Sequence, residues 1–270
     1  MAGWTISTHS ETRVSVNTPS NRVLHFLYHE LSSVSQAYTY ALHKDAFREQ
    51  LDLFRQTSVG ERIAAKVTFD DGHISNYDIA FPMLADCGMT ADFFLTANWI
   101  GKRTGYMNWG QVRDMYAAGQ KIGAHGWSHK LLTHCNSAEL QLELVAARKL
   151  LEDELGAPVT SLSFPGGRFN KRILAACVDA GYTKMFTSIP QLTTLPIGSL
   201  TGRLNVRGDW SLSYIESLLD PEKDVLRGLE RQDKLKSLVK KIVGDTLYGW
   251  IWSAANREGS SKATSADDRI

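Results

Sequence analysis

Along residues 22–187, short apolar runs alternate with stretches whose apolar residues recur every three or four positions. The runs 23–28, 66–69, 91–96, 121–124, 159–164 and 182–187 have the length and composition of strands. Strands and helices that alternate in this way build a parallel sheet with crossover helices, so the pattern predicts an α/β fold.

The intervening helices have readable ends. Asn136 with Glu139 forms a capping-box signature ahead of Leu140, Leu144, Ala147, Leu151 and Leu155, and Gly156 and Pro158 stop that helix. Asn108 caps a second helix carrying Val112 and Met115 and ending at Gly119. Asn170 caps a third, carrying Ile173, Leu174, Cys177 and Val178 and ending at Gly181.

Composition narrows the class. The chain has 270 residues, 43% hydrophobic and 22% charged, enough to bury one large core. A net charge of +1 gives no overall basic field, so nucleic acid is not expected as a partner. Cys87, Cys135 and Cys177 are widely spaced and form no CxxC pair, which predicts small buried hydrophobes rather than disulfides or thiolate zinc knuckles. The first residues lack a basic segment followed by an apolar run, and no stretch reaches the length of a membrane span, so the sequence reads as cytoplasmic.

The candidate chemistry lies at the ends of the predicted strands. The run 67–69 leads into Asp70, Asp71 and Gly72, and a turn starting at Gly72 could aim both carboxylates at one cavity. The run 122–124 leads into His125, Gly126, Trp127, Ser128 and His129, where two histidines four apart on a helical turn would share a face. Two histidines and one carboxylate leave a coordination position for water, as a catalytic zinc site requires. His134 reads as a helix-start or surface residue instead. A third strand end carries Pro165, Gly166 and Gly167, where the Gly166 amide could donate to an oxyanion.

The motifs FDDG, HGWSH and FPGG, in this order and at these strand ends, resemble the polysaccharide deacetylase family, also called carbohydrate esterase family four. The resemblance spans residues 22–207. It implies an irregular (β/α)7-type barrel, with Asp70 as general base and Asp71, His125 and His129 as ligands of a divalent metal. Zinc is the foremost candidate, with cobalt and nickel as alternatives.

Two departures stand out. Many members carry an arginine two positions before the proline of the third motif, where this chain has Ser163, and a late Leu-His motif, whereas no histidine follows His134 here. A branch resembling bacterial exopolysaccharide poly-N-acetylglucosamine deacetylases places the last barrel strand at the N-terminus with a Tyr-His pair. In this chain that pair is Tyr28 and His29, so His29 is the candidate acid and the N-terminal strand completes the barrel. An arginine after the sixth strand in that branch points to Arg203 as the group holding Asp70, ahead of Arg207.

The resemblance therefore implies a metal-dependent hydrolase that removes N-acetyl groups from an acetylated polysaccharide or oligosaccharide, such as a bacterial exopolysaccharide or its lipid-linked precursor. Tyr28, Trp99, Trp109 and Trp127 could stack on a sugar or fill the core. Expected divisions are an N-terminal extension over 1–21, the catalytic domain over 22–230, an amphipathic helix within 231–258 and a polar tail over 259–270. The helical spacing over 234–252, with Lys234, Lys240 and Lys241 off the apolar face, suits the inner face of a membrane, the barrel itself or a second subunit in a homodimer. Three other functions stay open: a metal-dependent amidohydrolase of a small cyclic amide resembling allantoinase, an O-acetyl xylan esterase, and a catalytically silent sugar-binding module.

Overall fold

A computed structural model describes residues 21–34, 36, 38–57, 63–195 and 197–243. Eleven strands appear in chain order: β1 (Arg22–Tyr28), β2 (Glu30–Ser32), β3 (Ala41–His43), β4 (Ala64–Phe69), β5 (Ala91–Leu95), β6 (Lys121–Ala124), β7 (Ser161–Ser163), β8 (Lys184–Phe186), β9 (Thr193–Thr194), β10 (Leu200–Thr201) and β11 (Leu204–Asn205). β2 and β3 form a separate parallel pair. The remaining nine strands form one sheet in the order β10-β8-β7-β6-β5-β4-β1-β11, with β9 antiparallel on β1 and every other pairing parallel.

This sheet is a nearly closed barrel, and its seam is short. The edge strands β10 and β11 lie on the same stretch of chain, separated only by Gly202 and Arg203. β1 completes the wall as the family resemblance implies, pairing with β4 on one side and β11 on the other.

Alternation along each strand sends successive side chains to opposite faces of the sheet. Phe26 stacks on Phe54 with ring centroids 4.7 Å apart, and Tyr28 meets Phe47 edge-on at 5.1 Å. Both partners belong to the helix Lys44–Thr57, so these side chains face outward. The alternate positions, among them His25, Thr68 and Asp70, therefore face the barrel interior. Interior polar positions need partners from the protein, or from water or a ligand entering at a mouth of the barrel.

The predicted caps form. The Asn136 side chain accepts from the Glu139 amide at 3.0 Å while Glu139 accepts from the Asn136 amide at 2.7 Å. Asn108 and Gln111 make the same reciprocal pair, and Asn170 accepts from the Ile173 amide. Gly156 ends its helix in the left-handed region at φ 64°. The helix begun at Ser137 differs from expectation in one respect: it passes through a π-type stretch at Gln141–Ala146 before Ala147–Leu155. The three cysteines are buried and free.

The helix Val225–Val243 starts before the expected boundary at 230, so that boundary falls inside one continuous element. Leu226 is buried and Leu235 exposed, so its first turn packs on the body of the protein. Residues 244–258 of the expected amphipathic segment, the tail and residues 1–20 of the extension lie outside the described residues. Among the described residues, no helix is long and apolar enough to cross a membrane.

Candidate active site

β4 delivers Asp70 and Asp71 at its C-terminal end. Asp71 itself adopts φ 75°, and Gly72 follows at φ 88°. The turn thus starts one residue earlier than expected, and the left-handed aspartate breaks the strand alternation that would send the two carboxylates apart. A non-glycine residue held in this region costs of order 1 kcal/mol or more, so the surrounding structure must impose it.

β6 delivers the histidines, but not on a helical turn. Residues 125–129 form an irregular loop with Gly126 at φ 77° and His129 at φ 65°. Glu143 fixes this loop: its carboxylate accepts from the amides of Trp127 at 2.8 Å and Ser128 at 3.0 Å, and from the Ser128 hydroxyl. A Cβ on Gly126 would lie 2.7 Å from the same carboxylate, so only glycine permits the approach. The convergence expected of His125 and His129 does occur, with ring centroids 5.0 Å apart.

Asp71, His125 and His129 form a cluster whose ligand atoms all lie within 4.8 Å of one another. Each histidine Nε2 is 3.4 Å from Asp71 Oδ1. That oxygen is buried and has no hydrogen-bond partner among the described residues. Such an atom calls for a cation, and the set of two imidazoles and one carboxylate suits a divalent metal with a position left open. His125 Nδ1 lies 2.9 Å from the Ser163 carbonyl oxygen, which leaves Nε2 as the coordinating nitrogen. Burial pushes the His125 pKa down to about 4 and also lowers that of His129. Neutral imidazoles are the form that binds a metal. Burial, the Asp70 charge and Glu30 push Asp71 up to about 7 in the metal-free site.

Asp70 is buried and sits beside this cluster, its Oδ2 3.8 Å from His125 Nε2. Arg203, fully buried at the barrel seam, donates Nη1 to Asp70 Oδ1 and Nη2 to Oδ2, both at 2.8 Å. Its Nε reaches the Thr187 carbonyl at 3.0 Å, and Nη2 reaches the Ser163 hydroxyl at 2.6 Å. That hydroxyl in turn donates to Asp70 Oδ2 at 2.9 Å. Burial alone would raise the Asp70 pKa. The charges of Arg203 and His125 and the Arg203 hydrogen bonds outweigh it and hold the carboxyl well below the usual range. Arg207 pairs instead with Asp209 at the surface.

His29 follows β1 directly. Its electrostatic neighbours are Asp70, Arg203 and His129, and burial draws its pKa down to about 4 while the Asp70 charge opposes the shift. Its buried Nδ1 has no hydrogen-bond partner among the described residues. Gly166 adopts φ 62°. His134 is exposed on a short 3-10 turn and is not part of the cluster.

The aromatic candidates separate. Tyr28 is core and donates to Gln50 at 2.6 Å. Trp99 contacts the His129 ring at 5.4 Å, Tyr106 at 4.8 Å and the Arg103 guanidinium at 4.2 Å, which makes it a support for the Asp71–His125–His129 cluster. Trp127 stays half-buried with Lys102 above it. Trp109 packs against the core cluster.

Glu143 and the bridging role of Ser163 were missed from sequence. Glu143 had a signal: it falls three residues after Leu140 and four before Ala147, on the helix face that turns inward. A carboxylate there requires buried partners.

Residues 59–185 match the family model described as polysaccharide deacetylase. That segment holds Asp70, Asp71, His125, His129 and Gly166, but neither His29 nor Arg203. YxkH of Bacillus subtilis, whose name assigns it to the polysaccharide deacetylases, is 32% identical over 124 residues, 46% of this chain and 44% of its own. The chain spans less than half the length of the curated relatives it matches. Among solved structures, deacetylase PplD of Streptococcus pyogenes superposes with a TM-score of 0.66 at 19% identity, over 76% of this chain and all of that one. A de-N-acetylase from Aggregatibacter actinomycetemcomitans gives 0.64 at 17% identity, over 73% of this chain and 100% of its own. These two superpositions show the fold.

Proposed function

From the match of residues 59–185 to the polysaccharide deacetylase family model, we propose that this protein is a metal-dependent hydrolase that removes acetyl groups from N-acetylglucosamine-type residues of a polysaccharide. The observation that carries this reading is the unpartnered Asp71 Oδ1 between two convergent imidazoles, beside a carboxylate clamped by a buried arginine.

Asp71, His125 and His129 would hold the metal, with zinc first among the candidates. A divalent metal there supplies a Lewis acid and lowers the pKa of water to about 7. Asp70 is kept ionised at neutral pH by Arg203 and accepts the proton of the attacking water. The bidentate clamp also fixes the orientation of the carboxylate, so little reorganisation accompanies the transfer. Arg203 thereby takes the place left by Ser163 in the third motif, and the serine hydroxyl links the two.

With its pKa near 4, His29 is neutral in the resting site at pH 7. To protonate the departing amine it must gain a proton during the cycle, and negative charge developing beside it raises its affinity for one. The Gly166 amide is the proposed donor to the developing oxyanion. His29 at the end of the N-terminal strand, with Asp70 and His129 as neighbours, supports an exopolysaccharide or its lipid-linked precursor as substrate. The helix Val225–Val243 is a candidate contact with a membrane surface or a second copy of the chain.

The test is acetate release from N-acetylglucosamine oligomers, acetylated xylan and allantoin by metal-loaded protein. The reading predicts release from the oligomers in preference to xylan. Turnover of allantoin alone would assign a small cyclic amide instead.

A further inference from the structure

The opposite mouth of the barrel holds a cavity of about 630 Å³ that the deacetylation chemistry does not use. Six inward positions line it, one from each of six neighbouring strands: His25, Lys66, Asp92, Lys121, Ser161 and Lys184. They form a single layer. His25 is in register with Lys66, Asp92 with Lys121, and Ser161 with Lys184. The volume lies within the usual range for small-molecule sites.

Three ammonium groups face one carboxylate here. Among the described residues, none of the three lysines joins a salt bridge. Burial raises the Asp92 pKa, against the pull of Lys121, Lys66 and Lys184, so the single counter-charge is itself weakened. An exposed lysine alone indicates nothing. The second observation is His25, which is 2% exposed, lines the same cavity and leaves Nδ1 without a hydrogen-bond partner. Phe186 lies edge-on to His25 at 5.9 Å, and Arg203 stands 5.2 Å and 5.8 Å from the rings of Phe94 and Phe186. Two phenylalanines thus separate this layer from the Asp70 site.

We propose that this mouth is a second binding site for a phosphate-type anion carrying at least two charges. Ammonium groups approaching from three strands suit a tetrahedral group with several oxygens. A planar carboxylate is better matched by the fork of an arginine, which this layer lacks. A neutral His25 can donate one hydrogen bond without adding charge.

Titration calorimetry of the full, metal-loaded chain with inorganic pyrophosphate at fixed ionic strength tests the site. Binding is expected to weaken at least tenfold in the double variant Lys121→Gln/Lys184→Gln and to stay unchanged in Lys102→Gln, which removes a cation at the other mouth. A parallel arm with phosphatidic acid vesicles, whose phosphomonoester headgroup can carry a second charge, separates a lipid headgroup from a soluble phosphate ester, and loss of either interaction in the double variant supports the site. No binding of either probe to the unaltered chain, or binding that survives the double substitution, would overturn it.

Discussion

The two mouths of the barrel are built from the same strands but treat charge in opposite ways. At the C-terminal mouth, Asp70 and Arg203 are both buried and matched atom for atom, with Ser163 and Thr187 taking further donors of the guanidinium. Asp71 and His129 sit there in left-handed backbone conformations. At the N-terminal mouth three lysines remain exposed without salt bridges among the described residues, and none of the strand residues there has a positive φ. Strain and a fully matched Asp70–Arg203 pair mark the end proposed to do chemistry, where geometry must be fixed before the substrate arrives. Loose, unmatched charge marks the end proposed to capture an ion.

The largest stability effect is expected from breaking the pair at the upper mouth. Arg203→Met leaves Asp70 as a buried, unpaired charge and should destabilise the fold by about 3–5 kcal/mol in urea unfolding. Arg203→Met/Asp70→Asn should recover part of that loss, because the uncompensated charge is gone. If the double variant is no more stable than the single one, pairing is not what holds the seam.

His25 tests the lower half of the comparison through pH. Its pKa is about 4 in the folded protein against an ordinary 6.5, so between these values the unfolded chain binds the proton and the folded one does not. Its contribution to stability is therefore full above pH 6.5, falls as pH drops towards 4 and is flat below. The loss is on the order of 3 kcal/mol for one such group. A His25→Gln variant should show a shallower decline over this window in thermal melts.

Smaller effects should follow at Glu143 and the lysines. Glu143→Gln keeps the shape but weakens three charge-assisted hydrogen bonds to the 127–128 segment, with a cost of about 1–3 kcal/mol and weaker metal retention. Lys66→Gln, Lys121→Gln and Lys184→Gln should each change stability by no more than about 0.5 kcal/mol, since exposed unpaired charges contribute little.

Much of this was legible in the sequence where local patterns decide structure. The strand runs, the Asn136, Asn108 and Asn170 caps, and the placement of Asp70, Asp71, His125 and His129 at strand ends follow from periodicity and spacing. What escaped depends on contacts distant in sequence. Local pattern alone could not place Arg203, which the family resemblance supplied: it lies 133 residues from Asp70, between two-residue strands too short to carry a period. The helical turn expected at 125–129 fails because Glu143, on another element, supplies the loop with a better set of hydrogen-bond partners. The helix Lys44–Thr57, the crossover helix that covers β1, was not among the predicted elements.

The central claim is that Asp71, His125 and His129 hold the metal while Asp70 moves the proton, and Asp70→Asn separates the two tasks most directly. Metal content and acetate release from N-acetylglucosamine oligomers should be measured on the same preparation. The account predicts one equivalent of metal retained and turnover reduced by about 10²- to 10⁴-fold, the usual contribution of a general base. Undiminished acetate release from this variant would contradict it.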